Sequence, residues 1–242
     1  NHLHEYTLPG KKALIITSNG KSTKENGYLA RTEEQLKKSG VSFLLYDKIE
    51  ANPLRGTVTD GGRVAGAGNV DFLVALGGGS VLDAAKGIAV VATNSGDVWD
   101  YITNGTGGNK KITHTPLPIV AIPTTSGTGS ETDAGGVITN PDTQEKTPIK
   151  DVSLFPKLAI IDPELTLTVP PRFTSYQGFD ALFHNIEGYL SNKSNAMSEI
   201  VATEAITRIA SYLPKAVADG KNIEARASVA FASYLGGIEM VL

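Results

Sequence analysis

A chain of 242 residues with 40% hydrophobic and 19% charged side chains has the mix of a globular protein of one large or two small domains. Its net charge of −3, from 22 basic and 25 acidic residues, gives no basic footprint for nucleic acid, and its longest apolar run, around Gly87 to Ala92, is too short to span a bilayer. Cysteine is absent, which excludes disulfides and zinc–thiolate sites and leaves His, Asp and Glu to hold any metal. No charged-then-apolar leader opens the sequence at Asn1, so a cytoplasmic protein is expected. Glycine is abundant, at 26 residues, and clusters at the ends of expected strands, where bare backbone can approach a ligand.

Lys12–Thr17 is a continuous, β-branched apolar run and reads as a buried strand. Lys24–Ser39 has helical spacing at Leu29 and Leu36 and stops at Gly40. Val41–Tyr46 is a second strand. Asn52-Pro53 signals a turn, followed by a weaker, glycine-broken helix. Asp71–Leu76 is a third strand running into Gly77-Gly78-Gly79-Ser80, and Val81–Ala92 is a helix. Pro118–Ile122 and Leu158–Ile161 are further short strands. This alternation predicts an α/β domain with an open parallel sheet.

After Asp162 only helical periods remain. Phe179, Leu182, Phe183, Ile186 and Leu190 make one apolar stripe, and Met197, Ile200, Val201, Ile209 and Leu213 make another, ending near Pro214. A domain boundary is therefore expected near residue 168, dividing 1–167 from an all-helical 168–242. Asn222 caps an expected helix through Ile223–Leu242. That helix closes on Gly-Gly-Ile-Glu-Met-Val-Leu without a stop signal, as a chain cut inside a helix would.

Three motifs carry chemistry. Gly77–Lys86 (GGGSVLDAAK) follows a strand and opens a helix, so free backbone N–H groups and the helix dipole can face an anion. It is neither G-x-G-x-x-G nor a P-loop. A plain strand–helix turn with Ser80 as N-cap and Asp83 completing the cap would also explain it. Pro123–Glu131 (PTTSGTGSE) carries five hydroxyls and two glycines, which suit phosphate, ribose or amide recognition, or else a solvated loop with local hydrogen bonds. Two such loops at strand carboxyl ends are expected to converge on one nucleotide-binding crevice. Asp180 and His184 lie one turn apart on a helix and can reach one divalent metal, with Glu187 on the same face. An ordinary helix ion pair is the competing explanation. His2 and His4 near the start and His114 in a polar loop are poor ligands.

Four segments, in order and spacing, carry a resemblance: G-G-G-S-x-x-D-x-x-K at Gly77–Lys86, T-T-S-G-T-G-S-E at Thr124–Glu131, D-P-E-L-T-L-T-V-P-P at Asp162–Pro171, and G-F-D-A-L-F-H-N-I-E-G-Y at Gly178–Tyr189. Together they resemble the iron-containing (group III) alcohol dehydrogenases. The resemblance covers nearly the whole chain. It implies a dehydroquinate-synthase-like fold, with a nucleotide-binding α/β domain followed by a helical domain, and reversible hydride transfer between a primary alcohol or aldehyde and NAD or NADP. It implies Fe2+, alternatively Zn2+, held by one Asp and three His. Asp180 and His184 match the first two ligands, and the other two belong to helices downstream of Leu242.

By motif, the resemblance places Gly78, Gly79, Ser80 and Asp83 at the pyrophosphate. It places Thr124, Thr125, Ser126 and Thr128 beside the nicotinamide and its ribose, and Asn52 and Lys146 near the cofactor. Where NAD-preferring members carry an Asp after the first strand, this chain has Ser18-Asn19 with Lys21 close by. The carboxylate that would repel a 2′-phosphate is therefore missing, and NADP(H) becomes compatible. The expected partners are a small alcohol or aldehyde and further copies of the chain as a homo-oligomer, with no nucleic acid and no membrane. A related lyase or polyol enzyme on the same fold, and a non-catalytic nucleotide-binding fragment, are the competing readings.

Overall fold

The computed structural model describes residues 2–241. Its contacts form two compact units that do not follow the chain as two consecutive blocks. The sheet unit runs up to Ile122 and resumes over Ala134–Ile160, whereas Pro123–Asp133 groups with the helices that follow Ile161.

In the sheet unit, β1 (Lys12–Ser18) is followed by α1 (Ser22–Glu25), α2 (Tyr28–Lys38), β2 (Ser42–Ile49), α3 (Arg55–Ala67), β3 (Phe72–Gly77), α4 (Gly79–Thr93) and β4 (Ile119–Pro123). Then come β5 (Gly135–Asn140), β6 (Glu145–Lys150) and the short β7 (Leu158–Ala159). Five strands make a sheet of order β2-β1-β3-β4-β7, with β1 parallel to both β2 and β3, and β4 parallel to β7. The open parallel sheet expected from the alternation is present. Ala13 to Ile16 and Phe72 to Leu76 have no exposed surface, as strands covered on both faces require.

Three local expectations change. The single helix over Lys24–Ser39 is two helices, because Gly27 sits in the left-handed region at φ +72° and starts α2 afresh. The helix after Asn52-Pro53 is not broken by its glycines. A Cβ on Gly61 or Gly62 would fall 2.6 Å from Ile88 or 2.4 Å from Val91, so these glycines let α3 lie against α4. Residues 134–150, to which no strand was assigned, form an antiparallel ribbon in which Gly135 pairs with Lys150 and Asn140 with Glu145. A two-stranded ribbon has only edges, which is why it accepts Pro148.

The helical unit contains α5 (Pro171–Tyr189), α6 (Ala196–Ala218) and α7 (Ile223–Glu239). Asn222 caps α7 through Ala225, as expected, and Asn195, which the sequence reading did not single out, caps α6 through Met197 and Ser198. Leu242, the end assigned to the last helix, lies outside the described residues. The α5 stripe is not the buried face: Phe179, Phe183 and Leu190 are 51%, 56% and 74% exposed. Thr174, Gly178, Ala181 and Asn185 are buried instead, since close helix approach selects small residues. A Cβ on Gly178 would lie 2.2 Å from Leu213. On α6, Met197 and Ile200 are likewise exposed, while Ile209 and Leu213 are buried. The helix also passes through Pro214, with Ala216 buried beyond it. Buried Arg226 ties α7 to the connector, donating to Gly220 O, Thr174 Oγ1 and Val169 O at 3.0, 2.7 and 2.9 Å. Among the described residues no helix is long and apolar enough to cross a membrane.

Candidate functional site

In the sheet unit, β3 runs into Gly78, the N-cap of α4, and no side chain caps that helix. Ser80 and Asp83 do not serve as the cap. Ser80 Oγ instead accepts from Asn52 N at 3.1 Å, and Asp83 Oδ2 accepts from Val137 N at 3.1 Å. The first-turn N–H groups of α4 are thus left without a side-chain acceptor, the arrangement that receives an anion. Gly79 is buried, and a Cβ on Gly77 would fall 2.6 Å from Val81.

Asn52 adopts the left-handed conformation at φ +54° in its turn before Pro53. Its side-chain oxygen accepts from Lys146 Nζ at 2.8 Å, and Pro53 O accepts from Thr139 N at 2.9 Å. Asn52, Ser80 and Lys146 therefore form one connected group, built from the turn after β2, the start of α4 and the missed ribbon. Asp83 pins that ribbon to α4. So does Lys86, which is fully buried and donates from Nζ to Gly135 O at 2.5 Å. Ser18 closes β1 opposite Ile49, and exposed Lys21 precedes α1.

The second loop belongs to the helical unit. Ser126 is buried, with its N–H 3.2 Å from Gln177 Oε1, while Thr124, Thr125 and Thr128 are half-buried. Part of the local bonding expected of a Ser/Thr loop is present, since Thr128 Oγ1 accepts from Ser130 N at 3.3 Å. A Cβ on Gly127 would lie 3.0 Å from both Asp180 Oδ2 and Gln177 O, so this loop runs directly against α5. Gly129, at φ +63°, backs onto α7: a Cβ there would lie 2.6 Å from Gly237 N and Ser233 O. Thr132 Oγ1 adds contacts to Gly129 O at 2.8 Å and Tyr234 O at 3.2 Å. Sequence reading missed Gln177. Its signal is a polar residue one turn before Asp180 on the same helix.

Asp180 and His184 lie on α5 with Oδ1 and Nε2 3.9 Å apart, and their side chains are 47% and 23% exposed. Both donors suit a divalent cation, and the separation lets one ion lie between them, so the pair fits a metal as two of its donors. No cluster of three or more His, Asp or Glu side chains suited to a metal occurs among the described residues. Glu187 is exposed, and His184 Nδ1 is buried without a partner, so Glu187 does not orient the ring. The remaining histidines have other partners: His2 contacts Glu5 at 2.7 Å and His114 contacts Thr113 at 3.2 Å, both nearby in sequence, while His4 contacts Gln35 on α2 at 2.5 Å. Burial holds the Glu239 carboxyl above its usual range.

The family model described as iron-containing alcohol dehydrogenase matches residues 1–163, and the C-terminal model of the same family matches 174–241. The chain is 38% identical over 231 residues to the 1,3-propanediol dehydrogenase of Citrobacter freundii, covering 96% of this chain and 58% of that protein. It is equally similar to the NAD-dependent methanol dehydrogenase of Bacillus methanolicus, over 96% and 59%. Among solved structures, an archaeal halo-thermophilic alcohol dehydrogenase from a Red Sea brine pool, bound to NZQ, superposes with a TM-score of 0.93 at 36% identity, covering 98% of this chain and 61% of that one. NADH-dependent butanol dehydrogenase A from Thermotoga maritima gives 0.87 at 32% identity, over 96% and 57%. The chain thus spans about three fifths of the length of these relatives. On both family models and on these structural likenesses, it belongs to the iron-containing alcohol dehydrogenase family.

Proposed function

We propose that the chain carries the nicotinamide-binding machinery and two of the metal donors of an alcohol dehydrogenase. That enzyme moves hydride reversibly between a primary alcohol or aldehyde and NAD or NADP. The observation that carries this reading is the uncapped start of α4 beside the connected Asn52–Ser80–Lys146 group. Backbone N–H groups of Gly79 and Ser80 receive the pyrophosphate, Lys146 supplies positive charge, and Asp83 holds the neighbouring ribbon. Thr124, Thr125, Ser126 and Thr128 present hydroxyl and amide groups to the nicotinamide ribose. Cofactor binding through the α4 loop falls to the sheet unit and metal binding to the helical unit, in place of the expected division at residue 168.

Asp180 and His184 would hold the Fe2+ or Zn2+, which when bound supplies Lewis-acid polarisation of the alcohol oxygen. With two donors among the described residues, the chemistry carried by this chain's own groups is binding and orienting the cofactor, and the cofactor is the hydride carrier. Ser18 and Lys21 favour room and positive charge for a 2′-phosphate, so NADP(H) is proposed as an accepted cofactor. A small alcohol or aldehyde is the proposed substrate. A homo-oligomeric, cytoplasmic enzyme without nucleic-acid or membrane partners completes the proposal.

The test is a fluorescence titration of the 242-residue chain with NADH and NADPH. Saturable binding that Gly79→Val abolishes, with the far-ultraviolet circular dichroism unchanged, supports the reading. Cofactor affinity unchanged by Gly79→Val overturns it.

A further inference from the structure

Four buried side-chain atoms without a hydrogen-bond partner lie on α5 and α7: His184 Nδ1, Asn185 Oδ1, Ser233 Oγ and Glu239 Oε2. They share one seam. Asn185 Nδ2 reaches Ala232 O at 3.4 Å, and a Cβ on Gly236 would lie 2.8 Å from Asn185 Nδ2 and 3.6 Å from His184 Cβ. One turn further along both helices, a Cβ on Gly188 would fall 1.3 Å from Glu239 Oε2. The helices therefore run in the same direction, and the missing side chain of Gly188 makes the space that the Glu239 carboxyl fills.

Glu239 is only 5% exposed, and a carboxyl buried without a donor is costly. Two unpartnered donors are available in the seam. Ser233 lies six residues back along α7, about 9 Å by helical rise. His184 sits one turn from Gly188, at the level of Gly236, and its inner ring nitrogen lacks a partner. An imidazole that coordinates metal through one nitrogen characteristically donates its other N–H to a carboxylate or carbonyl.

We propose that Glu239 is a positioning residue for His184, accepting the Nδ1–H through one buried water and so keeping Nε2 unprotonated on the Asp180 side. The proposal rests on the reading of His184 as a metal donor.

Nitrogen-15 NMR of the metal-free 242-residue chain reads the ring tautomer, and calorimetric titration with Zn2+ reads affinity. The expected result is the Nδ1–H tautomer in the parent, retained in Glu239→Gln, whose amide oxygen still accepts, and lost in Glu239→Leu. Gly188→Ala, which displaces the carboxyl without altering either partner, should also lose it. Zn2+ affinity should fall about 10–100-fold in Glu239→Leu. A purely structural Glu239 would lower thermal stability and leave the tautomer alone. An Nε2–H tautomer in the parent, or an Nδ1–H tautomer unchanged in both Glu239→Leu and Gly188→Ala, overturns the pairing. Zn2+ affinity unchanged in His184→Ala overturns the metal reading and the purpose given to the pair, while the tautomer still decides whether the bond exists.

Discussion

Lys146 Nζ donates to Asn52 Oδ1 at 2.8 Å, across 94 positions of sequence. The bond joins the turn after β2 to the second strand of the ribbon and sets a cation beside Ser80 at the start of α4. Lys146→Ala should weaken NADH and NADPH binding about 10–100-fold, the range of a lost charge-assisted hydrogen bond, with little change in melting temperature. Fluorescence titration checks this. An unchanged dissociation constant would remove Lys146 from the cofactor site.

Ser18→Asp sets a carboxylate at the end of β1. NADPH affinity should fall much more than NADH affinity, because only the former carries a 2′-phosphate for the new charge to repel. Equal shifts of the two affinities would show that Ser18 does not face the adenosine ribose.

Gly129 combines a left-handed backbone with contact against the backbone of Gly237. Gly129→Ala should cost about 1–3 kcal/mol from conformation alone, plus the displacement of α7. Urea denaturation provides the measurement, and a loss under about 0.5 kcal/mol would contradict the described packing.

Asp71 Oδ2 accepts from Lys11 N at 2.7 Å and Lys12 N at 2.8 Å, which holds its carboxyl below the ordinary value of 3.8. The folded protein therefore binds this proton less readily than the unfolded chain. The contribution is present above 3.8 and is lost as pH falls through the lowered value. Asp71→Asn should flatten the acid limb of a stability–pH profile. An identical acid limb in the variant would show that these N–H groups do not favour the carboxylate.

The sheet was legible because its strands are unbroken apolar runs, and the loop at Gly77–Ser80 because a strand feeds glycines into a helix. What periodicity could not show depends on contacts distant in sequence. The ribbon at 135–150 has too little apolar alternation to announce itself, so Lys146 could be placed only by resemblance. The apolar stripe of α5 does not mark its buried face, because helices in close contact bury Gly178 and Ala181 and leave Phe179 and Phe183 outside. Asp180 and His184 follow from i, i+4 spacing. The partners Gln177, Gly188 and Glu239 emerge only once the 123–133 loop and α7 are seen against α5.

The grouping of Pro123–Asp133 with the helices makes the helical unit discontinuous in sequence. A graft of the helices alone, cut at Ile161, would leave behind the segment whose Gly129 and Thr132 seat on Ser233, Tyr234 and Gly237. Any recombination that exchanges this unit between relatives must therefore carry two inserts from one parent. A chimera with its crossover near residue 168 would mate a loop from one lineage with a helix from another, at a contact where there is no room for even a methyl group.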